Sequence, residues 1–324
     1  MRNNRVKNIL GTMAIPVATL LVLLVLCAIR GVRLFDGAGS WLLLFRATAS
    51  VTLTTFALSI NLNSGRFDFS LGAVSVLSAA LATTLTLRFT LSPWLMLALC
   101  VFFGVILGAV SGLLYVTMRI PPIIASLGIT LLYEGAAFTF TGGKGVSLVT
   151  RGDLIGFSKI PNYLLIIVLA LAVIVFLLDY TRFGANYRAL KSGQKIAVET
   201  GINEIKNAVA CYIIAGGLMG TVGFISATNT GSIQMSLNFG SIGVMFTAFL
   251  PMFIGGYIGR FSNERLGIML GATSTALISL GYARLNASSA AQSIVSALIL
   301  VLFLIYLNNE HSIKKLLLGR RTFA

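Results

Sequence analysis

Three groups of residues have types and spacings that could do chemistry, and in each case the chemistry is the handling of a solute or a partner rather than of a covalent bond. The first is Asn61-Leu62-Asn63-Ser64-Gly65-Arg66-Phe67-Asp68-Phe69-Ser70-Leu71-Gly72, a polar, glycine-bearing break between two apolar runs. An acidic side chain costs about 2.5–3.5 kcal/mol at the centre of a membrane span, so Asp68 must lie at a boundary, in a pair or in a wet cavity. Two readings stay open. Asp68 is the N-cap of the helix that begins near Ser70 and Leu71, or the break is a broken helix bordering a solute pathway to which Asn61, Asn63, Asp68 and Ser70 turn their polar groups.

The second group is Arg119-Ile120-Pro121-Pro122, where the double proline forces an extended entry and a sharp helix start. Pro at a helix start loses no intrahelical bond, so Pro121 and Pro122 read as a tight turn or as a gating hinge. Ser126 and Glu134 lie farther along that helix as candidate pathway residues, and Glu134 either pairs with Lys144 or Arg151 or faces water. The third group is the stretch 179–206 with Arg182, Arg188, Lys191, Lys195 and Lys206. Within it Ser192-Gly193-Gln194-Lys195-Ile196-Ala197-Val198-Glu199-Thr200-Gly201-Ile202 reads as a short helix closed by glycine. Such a run is a solvated, topology-setting loop or an ordered surface that docks in a groove on a soluble partner.

Catalytic groups are scarce. His311 is the one histidine, and there is no H-E-x-x-H, no G-x-S-x-G and no pair of membrane aspartates. We expect no catalytic residues and no metal site. The nearest approach to a phosphate-binding loop, Thr141-Gly142-Gly143-Lys144-Gly145, lacks the hydroxyl after lysine that would hold Mg²⁺. If ATP drives this protein, another chain hydrolyses it. Cys27, Cys100 and Cys211 sit in apolar runs without C-x-x-C spacing and read as small core residues.

The elements that must position these groups follow from composition. Of 324 residues 57% are hydrophobic and 10% charged, with mean hydropathy +0.94, against about 45–50% and 25% in soluble domains. That excludes a soluble enzyme, a disordered chain and a disulfide scaffold, and leaves an all-α polytopic membrane protein. Apolar runs near 9–29, 41–60, 70–87, 94–117, 122–140, 162–178, 207–226, 241–255, 266–282 and 290–307 give about ten spans, the run 241–255 being short and interrupted by Pro251. They lack the alternation of barrel strands. The first, approaching the ~20 residues of a span, is too long for a signal-peptide core and reads as retained.

The formal net charge of +15 falls in short basic clusters between spans, which suits lipid headgroups and not nucleic acid. With both termini cytoplasmic and Arg46 inside a span, sixteen basic residues lie inside and seven outside (Arg30, Arg33, Arg88, Lys144, Arg151, Lys159 and Arg284). That asymmetry obeys the positive-inside rule. Glycines at spacing four, Gly104, Gly108 and Gly112 in the fourth span and Gly267 and Gly271 in the ninth, read as helix-packing faces, as do Gly216 and Gly220 in the seventh. The same device five spans apart suggests inverted repeats, spans 2–5 and 7–10. The expected organisation is a single transmembrane domain over 1–324. It comprises an N-terminal span and outer loop (1–40), a first repeat (41–140), a cytoplasmic coupling loop (179–206), a second repeat (207–307) and a basic cytoplasmic tail (308–324).

Three motifs carry a family resemblance that runs from about Trp41 to Tyr306. Gly65-Arg66-Phe67-Asp68-Phe69-Ser70-Leu71-Gly72-Ala73 looks like G-G-I-D-L-S-V-G-A, and Ile120-Pro121-Pro122-Ile123-Ile124-Ala125-Ser126-Leu127-Gly128 is similar to V-P-P-F-I-A-T-L-G, with Thr141-Gly142-Gly143 following at the matching distance. Ala189 to Ile202 resembles R-A-I-G-x-N-x-x-A-A-x-x-S-G-I. All three motifs resemble those of the sugar-type (ribose and xylose) permeases of bacterial ABC importers, grouped with the branched-chain amino acid permeases. The chain departs from that pattern at Val244-Met245-Phe246-Thr247-Ala248-Phe249, where relatives have E-L-D-A-I-A, at Tyr257 to Ser262, and at Glu134, where relatives often have arginine. These departures leave the sugar unnamed.

The resemblance implies a permease subunit in a bacterial cytoplasmic (inner) membrane, moving a small polar solute, a monosaccharide by preference, by alternating access. It implies an extracytoplasmic solute-binding protein, cytoplasmic ABC ATPase subunits that carry the ATP and Mg, and a second permease chain, the same or different. It also implies that Ser192, Gly193, Gln194, Lys195, Glu199 and Gly201 contact the ATPase. The alternative reading of the residues is an ion-coupled secondary transporter in which Asp68, Glu134 or Asp179 carries the ion. A scaffold or assembly subunit with no transport role is a further rival.

Overall fold

The computed structural model of the chain describes residues 2–157 and 159–318, with side chains throughout except at 2–7, 289 and 310–318. From residue 319 on, the basic tail, Arg320 and Arg321 included, lies outside the described residues. The elements are α1 (Arg2–Ile29), α2 (Ala38–Leu62), α3 (Leu71–Arg88), α4 (Pro93–Met118), α5 (Pro122–Thr141), β1 (Val146–Ser147), α6 (Gly152–Gly156), α7 (Asn162–Tyr180), α8 (Arg182–Ser192), α9 (Gln194–Glu199), α10 (Glu204–Thr230), β2 (Ser232–Ile233), α11 (Ile242–Ile258), α12 (Glu264–Arg284) and α13 (Ser289–Leu318).

Nine of the described helices, α1 to α5, α7, α10, α12 and α13, are long and apolar enough to cross a membrane. The weakest of the ten expected spans, near 241–255, is α11, an apolar helix of only 17 residues that contains Pro251. Among the described residues one piece of sheet forms, β1 paired antiparallel with β2, Val146 opposite Ile233 and Ser147 opposite Ser232. Sequence periodicity missed it, because strands of two residues have no pattern to show.

The chain forms two compact units, one of residues 49–248 and one of residues 1–48 with 249–324. In the first, α4 lies directly on α10. A Cβ added at Gly104 would come within 2.3 Å of the Gly216 carbonyl oxygen, one at Gly108 within 2.3 Å of the Tyr212 carbonyl oxygen, and one at Gly220 within 2.2 Å of the Cys100 carbonyl oxygen. A Cβ added at Gly112 would come within 3.0 Å of Tyr212 Cβ. Lipid supplies no hydrophobic drive for helix association, so this backbone-to-backbone contact carries the pairing. The Tyr133 hydroxyl of α5 donates to the Leu107 carbonyl and accepts from Ser111 Oγ, tying α5 to the same helix.

In the second unit the small-residue face of α12 meets α11, where a Cβ added at Gly267 would collide with the Gly255 carbonyl oxygen and one at Gly271 with the Pro251 carbonyl oxygen. Leu23 and Cys27 of α1 pack with Leu34, Leu44, Ala276, Leu277 and Leu280 in a buried cluster. All three cysteines are buried and free.

Replacing Gly108 by leucine is expected to lower the thermal midpoint of the purified protein in detergent, with a loss of about 1–3 kcal/mol or more from overpacking. Gly128→Ala, whose added Cβ meets nothing within 4 Å, should leave the midpoint unchanged. Equal midpoints for the two variants would contradict the assigned contact.

Candidate functional site

The break between α2 and α3 is built around Asp68, which is 1% exposed. Its Oδ1 accepts from the Ser70 backbone N–H at 2.9 Å and the Ser70 hydroxyl at 2.6 Å, and its Oδ2 accepts from Asn61 Nδ2 at 2.8 Å. Ser70, not Asp68, holds the N-cap position of α3. Asp68 sits two residues upstream and folds the chain into the helix by bridging to Ser70 and back to the last turn of α2. Burial raises the Asp68 carboxyl above its ordinary value, opposed by the hydrogen bonds from Ser70 and Asn61. Asn63 points elsewhere and donates to Ser59 Oγ at 3.0 Å.

The start of α3 is wedged between α5 and the segment leading into α11. Arg119 takes a left-handed φ of 53° after α4, and α5 begins at Pro122 with Pro121 as its cap residue, so the double proline makes an abrupt turn. Ser126, 1% exposed, donates to the Ile123 carbonyl at 3.0 Å and approaches the Phe67 carbonyl at 3.4 Å. Two turns on, Glu134 is 2% exposed and accepts from the backbone N–H groups of Phe239 at 2.9 Å and Ser241 at 2.8 Å. This corrects the expected partners of Glu134. Neither Lys144 nor Arg151 reaches it, and Arg151 pairs instead with Asp153 at 2.7 Å.

Glu134 thus holds the turn that leads into α11, accepting the N–H groups of Phe239 and Ser241 just before its first residue, Ile242. Gly72 completes the corner, since a Cβ there would fall 1.9 Å from the Ser241 carbonyl oxygen. The structure therefore brings together Asn61, Asp68 and Ser70, sets Ser126 beside Phe67, and joins Glu134 to them through Ser241 and Gly72. Each makes at least one hydrogen bond within the chain, although Asn61 Oδ1 is buried with no donor among the described residues.

The 179–206 stretch forms two helices where one was expected. α8 runs from Arg182 to Ser192 and buries Gly184, Tyr187 and Leu190, and α9 covers Gln194–Glu199. Between them Gly193, extended at φ 177°, donates its N–H to the Ala189 carbonyl at 3.1 Å and turns the chain. Gly201, at φ +91°, closes α9. Lys195 and Glu199 are exposed.

Three contacts moor this segment to the break. Glu204 Oε1, at the start of α10, accepts from Arg66 Nη2 at 3.0 Å and from Gln194 Nε2 at 2.6 Å, and the Tyr187 hydroxyl donates to the Ser59 carbonyl at 3.2 Å. Arg66, Tyr187 and Glu204 were not singled out from the sequence. The available signal was Glu204 in the first turn after the N-cap Asn203, but its partner lies 138 residues earlier, beyond any local pattern.

A separate cavity of about 310 Å³ between α3, α10 and β2 is lined by Ser75, Ser226, Thr230, Ser232 and Gln234 with Ala79 and Gly223, and among the described residues by no ionisable side chain. None of the six residues expected along the pathway lines it.

Comparison with known proteins follows the same outline. The family described as branched-chain amino acid transport system / permease component matches residues 42–307. The ribose import permease protein RbsC of Escherichia coli (strain K12) is 25% identical over 252 residues, covering 75% of this chain and 77% of its own length. The L-arabinose transport system permease protein AraH of the same organism is 25% identical over 251 residues, covering 76% and 75%. The fructose import permease protein FrcC of Rhizobium meliloti is 23% identical over 286 residues, covering 82% and 78%.

Glu134→Ala strips the buried Ser241 N–H and the half-buried Phe239 N–H of their acceptor and should cost about 1–3 kcal/mol. Hydrogen exchange at residues 239–241 should accelerate, more in Glu134→Ala than in Glu134→Gln, which keeps one acceptor oxygen. Unchanged exchange in both variants would remove Glu134 from this role.

Proposed function

The chain belongs to the family of branched-chain amino acid transport system permease components, and from that premise we propose that it forms the membrane pathway for a small, neutral, polar solute, a monosaccharide by first choice, opened and closed by alternating access. At the coarser level the assignment is direct. The protein is a non-catalytic, multi-pass permease subunit of an ABC importer, a class that works with ATPase and solute-binding partners.

The observation that carries the finer reading is the mooring of α9 to the α2–α3 break through Glu204, beside that of α8 to Ser59 through Tyr187. In this reading α8 and α9 face the cytoplasm, as the charge asymmetry favours, and receive the ATPase at Ser192, Gly193, Gln194, Lys195, Glu199 and Gly201. A shift of α9 pulls on Glu204 and, through Arg66, on the segment that Asp68 holds. Binding energy then does work only where the two states differ.

The nature of the solute is supported by the cavity beside α3 and α10, whose hydroxyl and amide lining offers donors and acceptors without charge. Such a lining suits a polyhydroxylated neutral molecule better than an ion or an amino acid. Membership at about 25% identity leaves the individual sugar open. Blocks 41–140 and 207–307 are read as inverted repeats, and a second permease chain, identical or different, completes the pathway.

The test is reconstitution with the ATPase and binding protein. Gly193→Ala should transport normally, because the backbone there is extended and the nearest atom to an added Cβ is Ile196 Cδ1 at 3.8 Å. Gly193→Pro forces φ to about −65° and removes the N–H that closes α8. It should insert normally yet lose solute-stimulated ATP hydrolysis and uptake by about tenfold or more, a coupling loss of roughly 1.4 kcal/mol or above. Normal uptake by Gly193→Pro would refute the coupling role, and flux driven by an ion gradient without the ATPase would favour a secondary transporter.

A further inference from the structure

The α2–α3 break and the α8–α9 corner enclose a cavity of about 240 Å³ lined by Asn63, Ser64, Arg66, Lys191 and Gln194; among the described residues no carboxylate lines it, though Glu204 bonds to Arg66 and Gln194 from beyond its wall. Arg66 is the unusual member. Its side chain is 4% exposed, and one nitrogen, Nη2, is used by Glu204 at 3.0 Å. Its Nε and Nη1 are buried and have no acceptor among the described residues. A buried guanidinium with unmade hydrogen bonds carries an uncompensated desolvation cost, and an incoming anion relieves it through charge-assisted bonds. Gln194 is held by Glu204, and Lys191, exposed in the last turn of α8, adds a second positive charge at the rim.

We propose that this cavity is an oxyanion subsite that takes one carboxylate or phosphate group against Arg66. Two sources supply that chemistry. One is an acidic side chain of the ATPase, which rests on the importer reading above, and the other is free phosphate, which does not. In the first case the subsite adds a buried charge contact to the coupling surface. In the second it makes that surface sensitive to a product of ATP hydrolysis.

The experiment has two arms. The full chain in nanodiscs, without ATPase, is titrated with radiolabelled inorganic phosphate at constant ionic strength. One saturable site is expected, weakened about tenfold or more in Arg66→Gln. The same loss is expected in Lys191→Glu, where a tethered carboxylate competes for the subsite; this exposed position keeps the test open should Arg66→Gln fail to fold. In the second arm the ATPase is bound to the same nanodiscs in chloride and in phosphate of equal ionic strength. Weakening by phosphate in the unaltered chain but not in Lys191→Glu assigns the occupant to the ATPase, whereas phosphate binding without such competition assigns it to the free anion. Phosphate binding that survives both substitutions overturns the proposal. So does the absence of saturable binding combined with equal ATPase affinity in the two salts. Either result leaves the importer reading standing, because ATPase binding in chloride tests that separately.

Discussion

A chain this apolar has to satisfy its own backbone, because hydrocarbon offers nothing to an exposed N–H or C=O. Long helices meet that demand by themselves, and difficulty arises only where a helix begins or ends inside packed protein. Two such places occur in the unit formed by residues 49–248, and each holds one of the chain's few acids. Asp68 receives the N–H of Ser70 at the start of α3, and Glu134 receives the N–H groups of Phe239 and Ser241 at the start of α11. The two carboxylates that looked like pathway groups are first of all the acceptors that allow α3 and α11 to start where they do. Gly72 then lets the two starts touch.

Close packing is arranged by the same economy of side chains. Where α4 meets α10, and where α12 meets α11, carbonyl oxygens lie against glycines at distances that any Cβ would forbid. These glycines therefore fix the separation of the helices. The polar cavity along α3 and α10 depends on that separation, since α10 is held by α4 on one side and approaches Ser75 of α3 through Gly223 on another.

Much of this was legible in the sequence, for physical reasons. Span-length apolar runs and glycines at spacing four are local signals, and they marked the nine long helices and the packing faces. The short run at 241–255 stood out for the reason the structure supplies: α11 has 17 residues and begins at a corner held by Glu134. What local pattern could not carry was pairing across long separations. Arg66 with Glu204, Tyr187 with Ser59, and Glu134 with Ser241 join residues more than a hundred positions apart. Charge counting offered Lys144 or Arg151 to Glu134, but backbone amides at a helix start are equally good donors and leave no mark in composition. The split of the 179–206 stretch at Gly193 is hidden likewise, because a glycine closing one helix and opening the next reads as a glycine within one.

The single oxygen of Glu204 that receives both Arg66 and Gln194 has a consequence for how information passes through the molecule. A junction of this kind has no preferred direction. Any free energy that docking at α8 and α9 delivers to the α2–α3 break must be matched by an equal change in docking when the break is altered from the other side. Under the proposed reading, a solute that favours one arrangement of the Asp68 segment would tune the affinity of this surface for a soluble partner by the same factor. On that reading the Glu204 clamp would act as a thermodynamic two-way valve, the state of the break being reported outward by the same contact that receives the drive.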